Sequence, residues 1–350
     1  MLGARSPIVG RRSEVDALHQ VVARVVAGEP QVVEIYGETG MGKTRLLDEL
    51  ARTVEDHSLE LVLGRAGDYA RDQRFGIVAE ADEEISSVIT EMGAGAEAHR
   101  LHRPVRQVLA RRARPPGLAL LLDDLHLADE ASQELLENLL LDLPVAPLLV
   151  AVAYQGHRVP PGCPARWPVR AAVTRLAPAP LDEVAVAQLL PDLPVRRRRL
   201  LMAVTGGNPL YLDALALADE RTLAGLATRE HSDPEDMPRR LRALLASELR
   251  TLGDGTRLVA HAAAVAGDQA EPDLVAGIAG RPESEVFGAL DELVAMGCCT
   301  PWARGSGSGT RWCAPPPTSR PDRRGASPHT AGRRNTCGRV AGRSPCAHIT

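Results

Sequence analysis

Lysine is all but missing from this chain. Among 350 residues there is one, Lys43, and arginine supplies every other fixed cationic side chain. A bias toward GC-rich codons favours arginine, alanine, glycine and proline at the expense of lysine. A lysine that survives such a bias marks a position where a planar guanidinium cannot replace a compact ammonium. Aromatic residues are scarce as well, at 3%, so leucine, valine and alanine must build the core. The segment from Met1 to Asp16 is polar and charged and has no apolar stretch of the secretory type. The longest apolar stretch, Leu143 to Tyr154, is broken by Pro144 and Pro147. It falls short of the roughly 18 apolar residues that span a bilayer. These absences predict a cytoplasmic protein. Of six cysteines, Cys163 stands alone and the others lie at or beyond Cys298, which excludes a disulfide framework for the folded part. A net charge of −4 gives no electrostatic case for whole-surface attraction to nucleic acid or membrane.

What is present has a clear order. Apolar, β-branched runs at Gln31–Tyr36, Leu59–Leu63, Leu118–Leu122, Leu148–Tyr154 and Val173–Leu176 read as strands. They alternate with helical patterns at Gly42–Thr53, Ile77–Ile89 and Ala131–Leu141. Largely apolar strands that alternate with helices predict an α/β domain with a parallel sheet covered on both faces. After Pro178 only helices are expected: first Leu181–Leu190, Arg197–Val204 and Pro209–Ala218, then, past a polar break, a set running from Pro238 to Met296. The second set has the size of a winged-helix-like module. The expected domains are residues 1–177, 178–229 and 236–297, followed by a tail over 298–350. The tail has no leucine and one acidic residue, Asp322. A segment so poor in apolar residues cannot offset its ordering entropy, and disorder is expected. Its composition also looks like out-of-frame translation of GC-rich DNA, so a truncated product is expected.

The stretch Gly37-Glu38-Thr39-Gly40-Met41-Gly42-Lys43-Thr44 matches the phosphate-binding pattern G-x-x-x-x-G-K-[ST] in full. It follows a predicted strand and opens a predicted helix, the context such a match requires. Glycines let the backbone curl with N–H groups inward, and the helix N-terminus adds partial positive charge. Lys43 should reach the β- and γ-phosphates, and Thr44 should offer its hydroxyl to Mg²⁺. Arg45 follows in the first turn. The expected ligand is ATP or a close relative, with Mg²⁺. The apolar strand Leu118–Leu122 ends in Asp123-Asp124, on the sheet edge where ligands gather in open α/β sheets. Asp123 is the expected metal partner, and Asp124 the group that polarises an attacking water. The strand Leu148–Tyr154 is expected between the phosphate-loop strand and the acidic strand.

Together these pieces resemble a known family. Ile8-Val9-Gly10-Arg11 followed by Glu14 looks like the V-G-R-x-x-E segment of the AAA-related STAND ATPases. Asp123-Asp124-Leu125-His126 with Ala128-Asp129 is similar to the D-D-L-H-W-A-D block of large LuxR-type actinobacterial regulators. Gly206-Gly207-Asn208-Pro209-Leu210-Tyr211 resembles their G-G-N-P-L-Y block, a motif of the helical lid. The resemblance covers about Ile8 to Met296. It implies a signal-transducing ATPase, a nucleotide-dependent switch in a transcriptional regulator that self-associates on ATP binding. By position, Val9, Gly10 and Arg11 would border the adenine and Pro209 would pack on it.

The sequence departs from the family in two ways. The arginine expected after Ala153-Tyr154, able to sense the γ-phosphate, is replaced by Gln155; this bears on hydrolysis, not on binding. Family members continue into a long helical-repeat region and C-terminal DNA-binding helices, where this sequence has the biased tail. Two further readings therefore stay open: a non-hydrolysing nucleotide-binding remnant, and a DNA-maintenance ATPase of the origin-recognition type. The arginine run Arg196–Arg199 reads as a solvated helix face, and no basic stripe argues for DNA binding. The tail cysteines lack C-x₂-C spacing, which argues against zinc.

Overall fold

The computed structural model describes residues 8–67, 73–93, 97–156, 171–228, 237–266 and 271–295. The expected tail, Cys163 and the polar break near 230–235 lie outside the described residues. The chain divides into two units, residues 1–189 and 190–350.

In the first unit, chain order is α1 (Arg12–Val26), β1 (Gln31–Gly37), α2 (Lys43–Asp56), β2 (Glu60–Arg65), α3 (Gly76–Ala81), α4 (Glu83–Met92), α5 (Ala98–Arg112), β3 (Leu118–Asp123), a single 3-10 turn at Leu125–Leu127, α6 (Glu130–Leu141), β4 (Leu148–Gln155), β5 (Ala172–Leu176) and α7 (Glu183–Leu189). The strands form one parallel sheet in the order β2-β3-β4-β1-β5. β4 thus lies between the loop strand and the acidic strand, as its place in the sequence predicts. Side chains alternate between faces along each strand. Val33, Ile35, Leu121 and Ala151 meet α1 and α2 on one face through Leu18, Val22, Leu46 and Leu50. Val32, Leu120, Leu122 and Val150 meet the helices of the other face through Ile77, Ile85, Leu101 and Leu135. Each fully buried leucine or isoleucine contributes about 1.5–3 kcal/mol, so the sheet's ends are held on a stiff base.

Three helical details differ from the sequence reading. The helix expected over Ile77–Ile89 is two helices. Asp82 breaks it with an extended backbone, φ −153° and ψ 126°, and its carboxylate accepts from the Ile85 N–H at 2.9 Å; it is the N-cap of α4. α1 forms where no helix was read, on the pattern Leu18, Val21, Val22 and Val25, all buried. α5 was hidden by Pro104, inside the helix. A mid-helix proline costs about 3 kcal/mol, which is offset here by burial of Leu101, Val105, Val108 and Leu109.

The described part of the second unit is helical: α8 (Val195–Thr205), α9 (Pro209–Leu215), α10 (Glu220–Thr228), α11 (Arg239–Thr251), α12 (Asp254–Ala266), α13 (Pro272–Ala279) and α14 (Glu283–Ala295). α12, α13 and α14 share a core of Val259, Ala263, Val275, Val286, Leu290 and Leu293. No strand occurs among its described residues, so the wing of a winged helix is not seen there. The run Arg196–Arg199 is not one solvated face. Arg197 turns back to donate to the carbonyls of Ala216, at 3.0 Å, and Ala218, at 2.6 Å, satisfying acceptors that the end of α9 leaves open. Among the described residues no helix is long and apolar enough to cross a membrane.

Candidate nucleotide site

The site is built where β1 gives way to α2. Gly42 stands before the first turn of α2 with φ 91°, and no atom lies within 4 Å of where a Cβ would be. The backbone conformation, not crowding, therefore demands glycine. α2 has no side-chain cap and no acidic residue in its first turn. Its leading N–H groups are thus not taken by a capping side chain, and with the helix dipole they favour an anion.

Lys43 is buried, at 8% exposure. Its ammonium donates to the carbonyls of Gly37 at 3.1 Å and Glu38 at 2.9 Å. An ammonium has three N–H donors, so the loop fixes the group while a further donor can serve a phosphate oxygen. Burial lowers the Lys43 pKa, and the carboxylates of Asp124, Asp123 and Glu38 oppose that shift. Burial likewise raises Glu38, against the pull of Lys43.

The two motifs meet at Thr44, whose Oγ1 donates to Asp123 Oδ2 at 2.8 Å. Asp123 closes β3 and is buried, and its Oδ1 accepts the backbone N–H of Asp124 at 2.9 Å. Asp124 sits in the left-handed region at φ 54°, a conformation that Asp tolerates better than most residues. Burial raises the Asp124 pKa and the Asp123 charge adds to it, while Arg65 and Lys43 pull it down.

Several neighbours of the site were not legible beforehand. Arg65, the last residue of β2, approaches both carboxylates: Nη2 is 3.4 Å from Asp124 Oδ2, and Nε is 3.9 Å from Asp123 Oδ2. Gln155, at the end of β4, donates its amide to Thr39 Oγ1 at 2.9 Å. Glu34, fully buried on β1, accepts from the Tyr154 hydroxyl and from Arg175 Nε, the latter at 2.9 Å. It thereby joins β4, β1 and β5 three residues before Gly37, where the loop begins. Only the strand order reveals these three groupings, because each joins residues far apart in the chain. Asp129 of the acidic block has a structural job. Its carboxylate accepts from the N–H groups of Phe75, Gly76 and Ser132, tying the start of α3 to the start of α6.

The Val9–Arg11 segment lies against the same loop. Arg11 is buried and donates to the Met41 carbonyl at 3.1 Å and to Glu14 at 3.3 Å. Burial lowers its pKa, and Glu14 opposes the shift. Gly10 has φ 69°, and a Cβ there would come within 2.6 Å of Ala185 Cβ, so both its backbone and α7 require glycine. Val9 and Arg45 are half-buried. Pro209 opens α9 in the second unit, behind Asn208, whose side chain accepts from the Leu210 N–H at 3.0 Å.

Residues 7–151 match the family model of the AAA ATPase domain. That span runs from the Val9–Arg11 segment through the phosphate loop and the acid pair into β4. The chain is similar to an uncharacterized protein of Rhizobium meliloti (strain 1021), at 27% identity over 84% of this chain and 33% of the relative. It spans about a third of that relative's length. Among solved structures it is similar to the Aeropyrum pernix ORC1 protein in complex with DNA, with TM-score 0.52, 15% identity, and coverage of 90% and 91% of the two chains. It also resembles Thermotoga maritima RuvB, with TM-score 0.42, 15% identity, and coverage of 85% and 91%. The ORC1 likeness shows the P-loop NTPase fold.

AAA ATPase domains bind ATP with Mg²⁺, and the residues present fit that pair. The uncapped α2 terminus and the buried Lys43 suit a phosphate chain. Thr44 and Asp123 place two hard oxygens 2.8 Å apart. Among the described residues no cluster of three or more His, Cys, Asp or Glu could hold a metal unaided. The Thr44 hydroxyl and the Asp123 carboxylate suit Mg²⁺, which takes one or two protein ligands and completes its shell with phosphate and water.

Proposed function

We propose that this chain is a nucleotide-dependent switch, the ATP-binding and signal-transducing part of a transcriptional regulator of the STAND class. The observation that carries the nucleotide half of this reading is the 2.8 Å junction of Thr44 with Asp123, beside a buried Lys43 and an uncapped helix. In it, backbone N–H groups from Gly37 to Arg45 cradle the phosphates, including those of Glu38, Thr39, Gly40 and Met41. Lys43 binds the β- and γ-phosphates as a point charge. Thr44 and Asp123 hold Mg²⁺, which supplies neutralisation of the phosphate charge. Asp124 orients and deprotonates water. Val9, Gly10 and Arg11 are assigned to the adenine by resemblance to the family.

The regulatory half rests on the three sequence blocks that resemble the LuxR-type regulators. Hydrolysis in this reading is slow, because Gln155 stands where the family has the arginine that senses the γ-phosphate. A second reading, a DNA-maintenance ATPase of the origin-recognition type, draws on the likeness to ORC1 over 90% of this chain. The net charge of −4 favours the first.

Limited proteolysis of the full chain, saturated with Mg-ATP or with Mg-ADP, tests the switch. Different protection patterns for the two nucleotides are expected. Identical patterns at saturation would contradict a switch and leave a plain nucleotide-binding protein.

A further inference from the structure

Arg65 is exposed over 68% of its side chain, yet it does not point freely into solvent. β2 and β3 run parallel with Arg65 in register with Asp123, and the Ala66 N–H donates to the Asp123 carbonyl at 3.1 Å. The preceding residue fixes this register. A Cβ on Gly64 would lie 2.7 Å from the Ile77 carbonyl oxygen and 2.8 Å from Leu122 Cδ2, so β2 is pressed against α3 on one face. Strand alternation then puts Arg65 on the opposite face, the one that carries α2 and Thr44. There its guanidinium faces Asp124 Oδ2 at 3.4 Å and Asp123 Oδ2 at 3.9 Å. Among the described residues these two carboxylates are its ion-pair partners.

Asp123 Oδ2 is therefore shared. It accepts the Thr44 hydroxyl, it faces Arg65, and it is the oxygen assigned to a divalent cation. A cation with two charges at that oxygen and a guanidinium beside it repel each other. Resting on the proposed nucleotide site, we infer that Arg65 competes with Mg²⁺ for the Asp123–Asp124 pair, and so sets the Mg²⁺ concentration at which the nucleotide is held tightly. Arg65 is a positioning residue in this role. It acts on the metal through the carboxylates and does not touch the phosphates.

The test is the Mg²⁺ midpoint for tightening of a fluorescent ATP analogue on the full chain, titrated with MgCl₂, for the parent, Arg65→Gln and Arg65→Lys. Thermal melts check that each variant is folded. An exposed ion pair is worth a factor of about two to five, so Arg65→Gln is expected to lower the midpoint by about that factor, with Arg65→Lys in between. Affinity measured in EDTA should stay within about twofold of the parent, since the phosphates lose no contact. An unmoved or raised midpoint overturns the inference. So does an equal loss of affinity in EDTA, which would put Arg65 on the phosphates. Both of those results leave the nucleotide site standing. A parent that binds no nucleotide, or binds it without regard to Mg²⁺, sinks the site and the inference together.

Discussion

Thr44 Oγ1 and Asp123 Oδ2 lie 2.8 Å apart although 79 positions separate them in the chain. One stands on the first turn of α2, the other at the end of β3, two strands from β1. That single hydrogen bond joins the phosphate loop to the acid pair. Asp123→Asn should keep the carboxamide in place while removing the charge that a divalent cation needs. Nucleotide affinity in EDTA should change little, and the tightening by Mg²⁺ should largely vanish. Thr44→Ala should act in the same direction. Fluorescence titration with and without MgCl₂ reads both; full Mg²⁺ tightening in Asp123→Asn would remove Asp123 from the metal site.

Asp124 separates turnover from binding. Asp124→Asn should bind Mg-ATP as the parent does and lose whatever hydrolysis the parent shows, by release of phosphate. Hydrolysis at the parent's rate in this variant would end the catalytic role given to Asp124.

The same variant carries a stability signature. Burial and the charge of Asp123 raise the Asp124 pKa, so the folded chain holds this proton to higher pH than the unfolded chain. Stability from this group is therefore lost as pH rises through the window from the ordinary carboxylate value to the raised one. At neutral pH Asp124→Asn should melt above the parent, and the gap should close as pH falls below the ordinary carboxylate range. Melting curves across pH check the sign, and a variant less stable at neutral pH would contradict it.

Glu34 has no counterpart in the motif reading, and its buried contacts predict a large effect. Glu34→Ala would leave the Tyr154 hydroxyl buried without this acceptor, at a cost of about 1–3 kcal/mol, beyond the loss of the Arg175 pair. Tyr154→Phe should cost a similar amount, because it strips a donor from a buried carboxylate. The pair should be strongly non-additive in a double-mutant cycle. Denaturant unfolding gives all four values, and simple additivity would mean the two side chains do not work as a unit.

Much of this fold could be read from the sequence because β3 and β4 are buried on both faces and therefore almost wholly apolar, and β1 is so apart from Gln31 and Glu34. The glycine-rich loop and the lone lysine announced the phosphate site for the same local reason: each lies within eight consecutive residues. What was hidden depends on pairing or packing. Arg65 at the end of β2 looks like any surface arginine until the register with Asp123 is known. Arg11 is singled out in the sequence only by the family resemblance, and its burial on the Met41 carbonyl depends on packing. Pro104 masked α5, since a proline's local preference points away from helix while the buried Leu101, Val105 and Leu109 decide for it. Asp82 ended a helix that periodicity alone would have continued, because its carboxylate caps the next one.

The role of Lys43 is open to one direct measurement, isothermal titration of Mg-ATP into the parent and into Lys43→Ala. Charge-assisted hydrogen bonds of this kind are worth roughly 1.5–3 kcal/mol. The parent should bind one nucleotide per chain, and the variant should bind it roughly ten- to a hundredfold more weakly, with a melting temperature that shows it is folded. Equal affinity in the two proteins would contradict the assignment of the chain's single lysine to the phosphates, and with it the nucleotide site.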